Sequence, residues 1–219
     1  MNRKIRANGP SAVSPRLPTP NRLHLGAGRE RLDGWINIDM QAIPGVDVIA
    51  DVTQGLDYSG VEAVYAEHFL EHLPVDAALG FLLEAHRVLG DGGWLRLSTP
   101  NLDWVWSTHY RLDADPEGKR QAALTLNRAF YGWEHRFLWN REMLGEALLA
   151  CGFGAPRWCR WGESELPVFQ GIERHERYIE EEALPHVLIA EAQKAASRPE
   201  RLARLRATLV EGFLDHLRG

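Results

Sequence analysis

Two gaps between β-like runs are too short to hold a helix, and they restrict the fold of this chain more than any other feature. Arg22–Leu25 is a short run that closes on Gly26-Ala27-Gly28. Residues 35–39 alternate apolar and polar side chains and end on Asp39, and residues 46–51 do the same and end on Asp51. Only nine residues, 26–34, separate the first two runs, and six, 40–45, separate the second from the third. Neighbouring parallel strands ordinarily need a crossover of roughly a dozen or more residues, generally with a helix in it. Either the first two crossovers are abbreviated or some of these strands are not parallel neighbours; the former is the reading adopted. Further runs follow at 61–66 and at 94–98, the latter opened by Gly92-Gly93 and closed by Pro100. Short β runs separated by turns, with helices later, point to a parallel α/β sheet.

Helical periodicity is clear over 75–89, where Val75, Leu79, Leu82, Leu83 and Val88 share one face behind Pro74. Asn140 is placed to cap a second helix with Met143, Leu144, Ala147, Leu148 and Cys151 on its apolar side, and Gly152 stands where a left-handed cap is wanted. Residues 187–190 read as a late strand, and Leu202, Leu205, Leu209, Phe213 and Leu217 form the stripe of a C-terminal helix. The expected organisation is a flexible Pro-rich tail at 1–19, a main domain over 20–197 with a helical insert at about 103–139, and an amphipathic helix over 198–219.

The 219 residues fit one domain of ordinary size, and 45% hydrophobic with 25% charged residues suits a chain with a real core. A net charge of -5 without a basic run argues against nucleic acid as the main partner. Two cysteines, Cys151 and Cys159, are too few for a secreted disulfide scaffold, and Cys151 reads as a buried thiol. No apolar run is long enough for a membrane span, and the charged N-terminus lacks the apolar core of a signal peptide, so a cytoplasmic location is expected.

The chemistry sits in Leu23-His24-Leu25-Gly26-Ala27-Gly28, then Asp39, then Asp51. Glycines at a strand end let the backbone turn sharply and approach a ligand closely. An acid at the next strand end can accept hydrogen bonds from both hydroxyls of a ribose, and a second acid one strand further can reach an adenine amino group. Together they describe an adenosine site at the carboxyl edge of a sheet.

Residues 23–39, LHLGAGRERLDGWINID, resemble the first motif of class I methyltransferases, in particular a bacterial subgroup with a short loop and a G-W-x-N-x-D second strand. Gly34-Trp35-Ile36-Asn37-Ile38-Asp39 matches that pattern position by position, His68-Phe69-Leu70-Glu71-His72-Leu73 resembles its fourth-strand motif, and residues 89–102 resemble its fifth strand. The resemblance covers roughly residues 20–195 and implies a Rossmann-like α/β fold with a seven-stranded sheet, abbreviated first crossovers and a helical insert after the fifth strand. It implies S-adenosylmethionine as donor. Gly26 and Gly28, with Leu25 and Ala27, would face its methionine portion. Asp39 would bind the ribose, Asp51 and the Val52 backbone the adenine, and Met40, Glu67 and His68 would complete the cofactor-binding set. Two positions depart from the common pattern: His24 stands where many members carry Asp, and Asn101 where an acid often follows the Pro.

Other readings compete. An NAD dehydrogenase fingerprint wants a third glycine where this chain has Arg31, and a helical βαβ crossover that it lacks. His68-Phe69-Leu70-Glu71-His72 satisfies H-x-x-E-H, a zinc-hydrolase pattern in which two histidines hold the metal and the glutamate activates water; Pro74 leaves such a helix little room. A third alternative is a non-catalytic cofactor-binding module. The methyltransferase reading itself calls for no metal.

The insert carries Trp104, Trp106, His109, Tyr110, Phe130, Tyr131, Trp133, His135 and Trp139. Such rings suit sugars, aryl groups or acyl chains, but the plainer expectation is that most of them fill the insert's own core. A hydroxyl acceptor on a small molecule or glycan requires a base, for which His68, His135 and His72 are candidates, the first two foremost. The strands beside the short crossovers, with Trp35, Ile36, Ile38, Val46 and Val48, need cover; the C-terminal helix of a homodimer is the favoured supplier.

Overall fold

Seven strands form one sheet in the order β3-β2-β1-β4-β5-β7-β6. They are β1 (Arg22–Leu25), β2 (Ile36–Asp39), β3 (Val48–Ile49), β4 (Val61–Glu67), β5 (Leu89–Pro100), β6 (Arg157–Cys159) and β7 (Val187–Gln193). The computed structural model describes residues 21–109, 115–177 and 183–218. The expected tail at 1–19 and Tyr110 lie outside them.

The first five strands run parallel, and β7 enters antiparallel between β5 and β6. Both short crossovers are real: β1 pairs β2, and β2 pairs β3, in parallel with turns and no helix between them. The third strand is only two residues long, shorter than the 46–51 run, because the turn at Gly45 and the bend at Asp47 before it, and the turn from Val52 after it, leave little of it in ladder geometry. The fifth is longer than 94–98. Leu89 already pairs with Val61, and residues 90–93 bulge out of the ladder before Trp94 takes up pairing with Ala63.

Asn37 explains how a loop without a helix holds its shape. Its Oδ1 accepts from the Leu32 amide (2.9 Å), and its Nδ2 donates to the carbonyls of Leu32 and Trp35 and to Asp47 Oδ2. His24 Nδ1 meets the same Oδ1 at 3.0 Å. Burial pushes the His24 imidazole below its ordinary pKa, although the Asn37 bond pulls the other way. The departure at position 24 therefore serves the loop: a neutral imidazole ties strand one to the asparagine of strand two.

Helix α1 (Val75–Val88) buries Val75, Ala78, Leu79, Phe81, Leu82, Ala85 and Val88 against one face of the sheet, the i, i+3, i+4, i+7 stripe of an amphipathic helix. After the insert helices α2 (Leu102–His109) and α3 (Pro116–Tyr131), α4 (Arg141–Ala150) joins the same core. Asn140 Oδ1 caps it at the Met143 amide (3.0 Å). Gly152, at φ +100°, ends it with the paired bonds of a Schellman turn, its own amide to Leu149 and the Phe153 amide to Leu148. Cys151 is buried, which pushes its thiol up to about 12.

The opposite face, where the crossovers supply no helix, is not covered by the C-terminal helix. Trp35, Leu32, Ala63 and Tyr65 are buried by Phe169 and Ile172, flanked by Leu166 and Val168, from the segment between β6 and β7. Trp35 stacks on Phe169 at 6.1 Å. Most of the C-terminal stripe packs on the chain's own helices instead, while Leu217 stays 65% exposed. Through α5 (Pro199–Arg206), a π-helical turn (Ala207–Glu211) and α6 (Gly212–Arg218), Leu202, Leu205, Leu209 and Leu214 pack on the α1–α4 side. Arg201 clasps Glu146, and Phe213 meets Phe137 edge-on. Of the residues expected to need a partner's helix, Trp35 is covered by the segment between β6 and β7, whereas Ile38, with Ile36 and Val48 against it, packs in the cluster on the α1 side.

Candidate functional site

Strand order reverses between β1 and β4, and the sequence-flagged residues gather at the carboxyl edge beside that point, where open α/β sheets bind ligands. Leu25 and Ala27 are buried and build the turn, the Ala27 amide donating to the Ile38 carbonyl (3.0 Å). Gly26 and Gly28 both sit at positive φ, +67° and +55°. They differ in what a side chain would meet. A Cβ on Gly26 would overlap the Phe69 ring, whereas one on Gly28 would meet nothing within 4 Å. Gly26 is thus hemmed in by Phe69, and Gly28 borders open space.

The Gly28 amide donates to Asp39 Oδ2 at 2.8 Å, and the Gln41 amide to Asp39 Oδ1 at 2.9 Å. The first glycine turn and the second-strand acid are thus in direct contact. Met40, next along, is 69% exposed. β3 hangs on this strand end through the Ala50 amide on the Asp39 carbonyl (2.9 Å), which brings Asp51 and Val52 alongside. The Thr53 hydroxyl and amide hold the exposed Asp51 carboxylate and keep its pKa below the usual range. Val52 is buried.

From the fourth strand, Glu67 is committed to another segment. Its carboxylate accepts from the amides of Arg174 and His175 and from the His175 ring. Burial would raise this carboxyl, but the His175 and Arg174 hydrogen bonds outweigh it and hold it at about 2. His175 carried no sequence signal: it lies in an irregular connection with no period around it.

His68 takes φ +46°, uncommon for a non-glycine residue. Its Nδ1 bonds Glu71 Oε1 at 2.9 Å, and the Glu71 side chain is fully buried, with Oε2 accepting from Thr99 (3.1 Å). Burial disfavours the imidazolium, yet the Glu71 bond and the Glu71 and Glu67 charges raise the His68 pKa overall. A buried carboxylate that orients an imidazole and supports its positive charge is the arrangement of a proton acceptor.

His135 does not join His68. Its Nδ1 donates to the Ala129 carbonyl (2.6 Å), and its ring meets His72 edge-on at 5.2 Å. Burial lowers its pKa, against the pull of that carbonyl. The H-x-x-E-H reading is not favoured. Residues 70–72 form a single 3-10 turn, His68 faces Glu71, and His72 faces His135. Two histidines of one helical turn sharing a metal are not what this segment offers. Asn101 is likewise structural: its side chain accepts from the Asp103 amide at the start of α2 and donates to the Pro185 carbonyl.

Among the described residues, most of the insert's rings stay out of its own core, Trp104 being the exception. That core is Val105, Ala129 and Leu138 with Leu102, Trp104 and Leu126 around them. Trp106, Phe130, Tyr131 and Trp133 are exposed, and Trp139 is buried in the main core.

Trp104 also packs on His186, ring centroids 4.1 Å apart. Burial, then the neighbouring His68, His175 and His109, push His186 down to about 4. A histidine whose folded pKa lies below its unfolded value near 6.5 binds its proton more readily in the unfolded chain. Its contribution is complete above about pH 6.5 and is lost as pH falls towards about 4. His186→Asn is expected to flatten the fall of Tm over that window. A variant with the same acid slope as the parent would refute this.

No protein-family model matches the chain, and no curated protein matches it. Among solved structures it is similar to a SAM-dependent methyltransferase from Thermotoga maritima, at 16% identity and a TM-score of 0.52 over 81% of this chain and 84% of that one. It is similar also to a SAM-dependent methyltransferase from Archaeoglobus fulgidus, at 16% identity and a TM-score of 0.51 over 79% and 85% of the two chains. The likeness is one of fold: the Rossmann-like, seven-stranded sheet seen in methyltransferases. No described helix is long and apolar enough to cross a membrane.

Proposed function

We propose that this chain is a class I methyltransferase that takes its methyl group from S-adenosylmethionine and delivers it to a hydroxyl of a small molecule or glycan. The observation that carries the reading is the joined turn at the sheet's carboxyl edge: two positive-φ glycines, the second donating its amide to Asp39 and facing open space. The residues present fit the donor. A carboxylate offers about four acceptor positions, and Asp39 uses two on backbone amides, so two remain for ribose hydroxyls. Met40 offers an exposed apolar thioether for an adenine face, with Asp51 and the Val52 amide at the ring's polar edge. Leu25, Gly26, Ala27 and Gly28 would line the methionine portion, with His68 at the end of β4. Glu67 would act at one remove, by fixing the segment that carries His175.

When bound, the donor supplies a methyl group on a positively charged sulfur, already electrophilic. What the chain adds is alignment, exclusion of water and a proton acceptor. His68 is the stronger candidate base, because buried Glu71 holds its Nδ1 and Nε2 is then the nitrogen left to take a proton. His135, with Nδ1 on a carbonyl, is the second. The exposed rings of the insert give the acceptor an aromatic surface of the kind sugars stack on. A donor made in the cytoplasm implies a cytoplasmic enzyme.

Calorimetric titration with S-adenosylmethionine, S-adenosylhomocysteine and NAD tests the reading. Binding of the first two and not the third is expected. Asp39→Ala should weaken S-adenosylhomocysteine by more than about tenfold, the loss of charge-assisted hydrogen bonds worth about 1.5–3 kcal/mol. Unchanged affinity in a folded Asp39→Ala protein would remove Asp39 from the site.

A further inference from the structure

We propose that Glu71, His72 and His135 form a zinc site that clamps the helical insert to the loop after β4. The three side chains come from two segments far apart in sequence, yet a carboxylate oxygen and a ring nitrogen from each histidine all lie within 4.8 Å of one another. A tetrahedral zinc with bonds near 2.0–2.1 Å holds its ligand atoms about 3.4 Å apart, so closure asks for side-chain movements of about an ångström.

The backbone builds this convergence. The amides of Arg136 and Phe137 both donate to the Glu71 carbonyl, at 2.7 and 3.2 Å, which lays the end of the insert against the 70–72 turn and brings His135 over His72. The surroundings are those of metal ligands. The Ala129 carbonyl can only accept, so His135 Nδ1 carries the hydrogen and Nε2 is left as a lone-pair donor. Glu71 is oriented by His68 on one oxygen and Thr99 on the other, and a carboxylate so held still has acceptor positions to give. Two imidazoles and one carboxylate are a zinc donor set that leaves a fourth position for water. This site differs from the hydrolase pattern: His68 is not a ligand, and Glu71 would be a ligand and not a base. It stands whether or not the chain binds S-adenosylmethionine.

The full chain, stripped with a chelator, is titrated with zinc chloride by calorimetry and followed by thermal unfolding. One equivalent is expected to bind with a Kd of about 10 µM or tighter and to raise the Tm. His72→Asn, at an exposed position, and His135→Asn should each weaken zinc by more than about 30-fold, and Thr99→Val, which removes the hydroxyl bonded to Glu71, by about tenfold. Cobalt should give a visible absorption band that the two histidine variants lose. Failure to bind an equivalent in this range would overturn the proposal. So would zinc affinity and a cobalt band unchanged in both histidine variants, which would put the metal on other histidines.

Discussion

Arg96→Leu is expected to lower the unfolding free energy by about 3–5 kcal/mol, the cost of leaving a buried charge without its partner. Arg96 stands on the central part of β5 with no exposed surface, between Glu173 and Glu191, both equally buried. Its Nε donates to Glu173 at 2.6 Å and its Nη1 to Glu191 and to the Glu163 carbonyl. Burial works against its charge, but Glu173 and Glu191 raise its pKa all the same. Removing the guanidinium leaves Glu173, among the described residues, held by the Gly162 amide, and Glu191 by Arg157 and Ser164. Urea unfolding measures the loss. Adding Glu173→Gln to Arg96→Leu should recover part of it, because the penalty belongs to the stranded carboxylate. A loss below about 1 kcal/mol would mean that the pair is not desolvated.

The second large effect is on the donor. Gly26→Val should weaken S-adenosylhomocysteine by more than about 100-fold, or about 2.7 kcal/mol. A β-branched residue at φ +67° is strained by about 1–2 kcal/mol or more, and its Cβ would also drive into the ring of Phe69. That ring cannot retreat easily, since it packs on Phe81 of α1 at 5.0 Å. The 67–71 turn must then shift, and the glycine turn and the β4 end separate. The pair Gly26→Ala and Gly26→Ala/Phe69→Ala divides the causes: thermal stability regained by the second would identify the ring, and the remainder the backbone angle. A Gly26→Val protein that binds within threefold of the parent would dismiss this account.

Local chemistry makes parts of this fold legible in the sequence alone. Asn140 and Gly152 announced both ends of α4 because caps depend on single residues and short-range hydrogen bonds. The α1 stripe needed only a period. The meeting of the glycine turn with the second-strand acid is legible because glycine and acid positions are set by strand ends, and Gly28 does meet Asp39. What escaped was long-range. Nothing near Trp35 names Phe169 as its cover, and nothing near Glu67 names His175. The pairing of His72 with His135 is equally hidden, because it depends on the backbone bonds from Arg136 and Phe137 to Glu71, which no periodicity encodes. Leu202, Leu205 and Leu209 of the C-terminal stripe pack inward while Leu217 does not, and no stripe states which surface receives it.

The cover of Trp35 also sets an order of assembly. The first three strands and the glycine turn are made early in synthesis, but the apolar face they present stays open until Leu166, Phe169 and Ile172 have left the ribosome. Pairings of such long sequence separation form late and leave nascent chains exposed to aggregation. Translation that stops before this segment should therefore yield a chain with both glycines and both acids in place, yet one that chaperones retain and proteases clear.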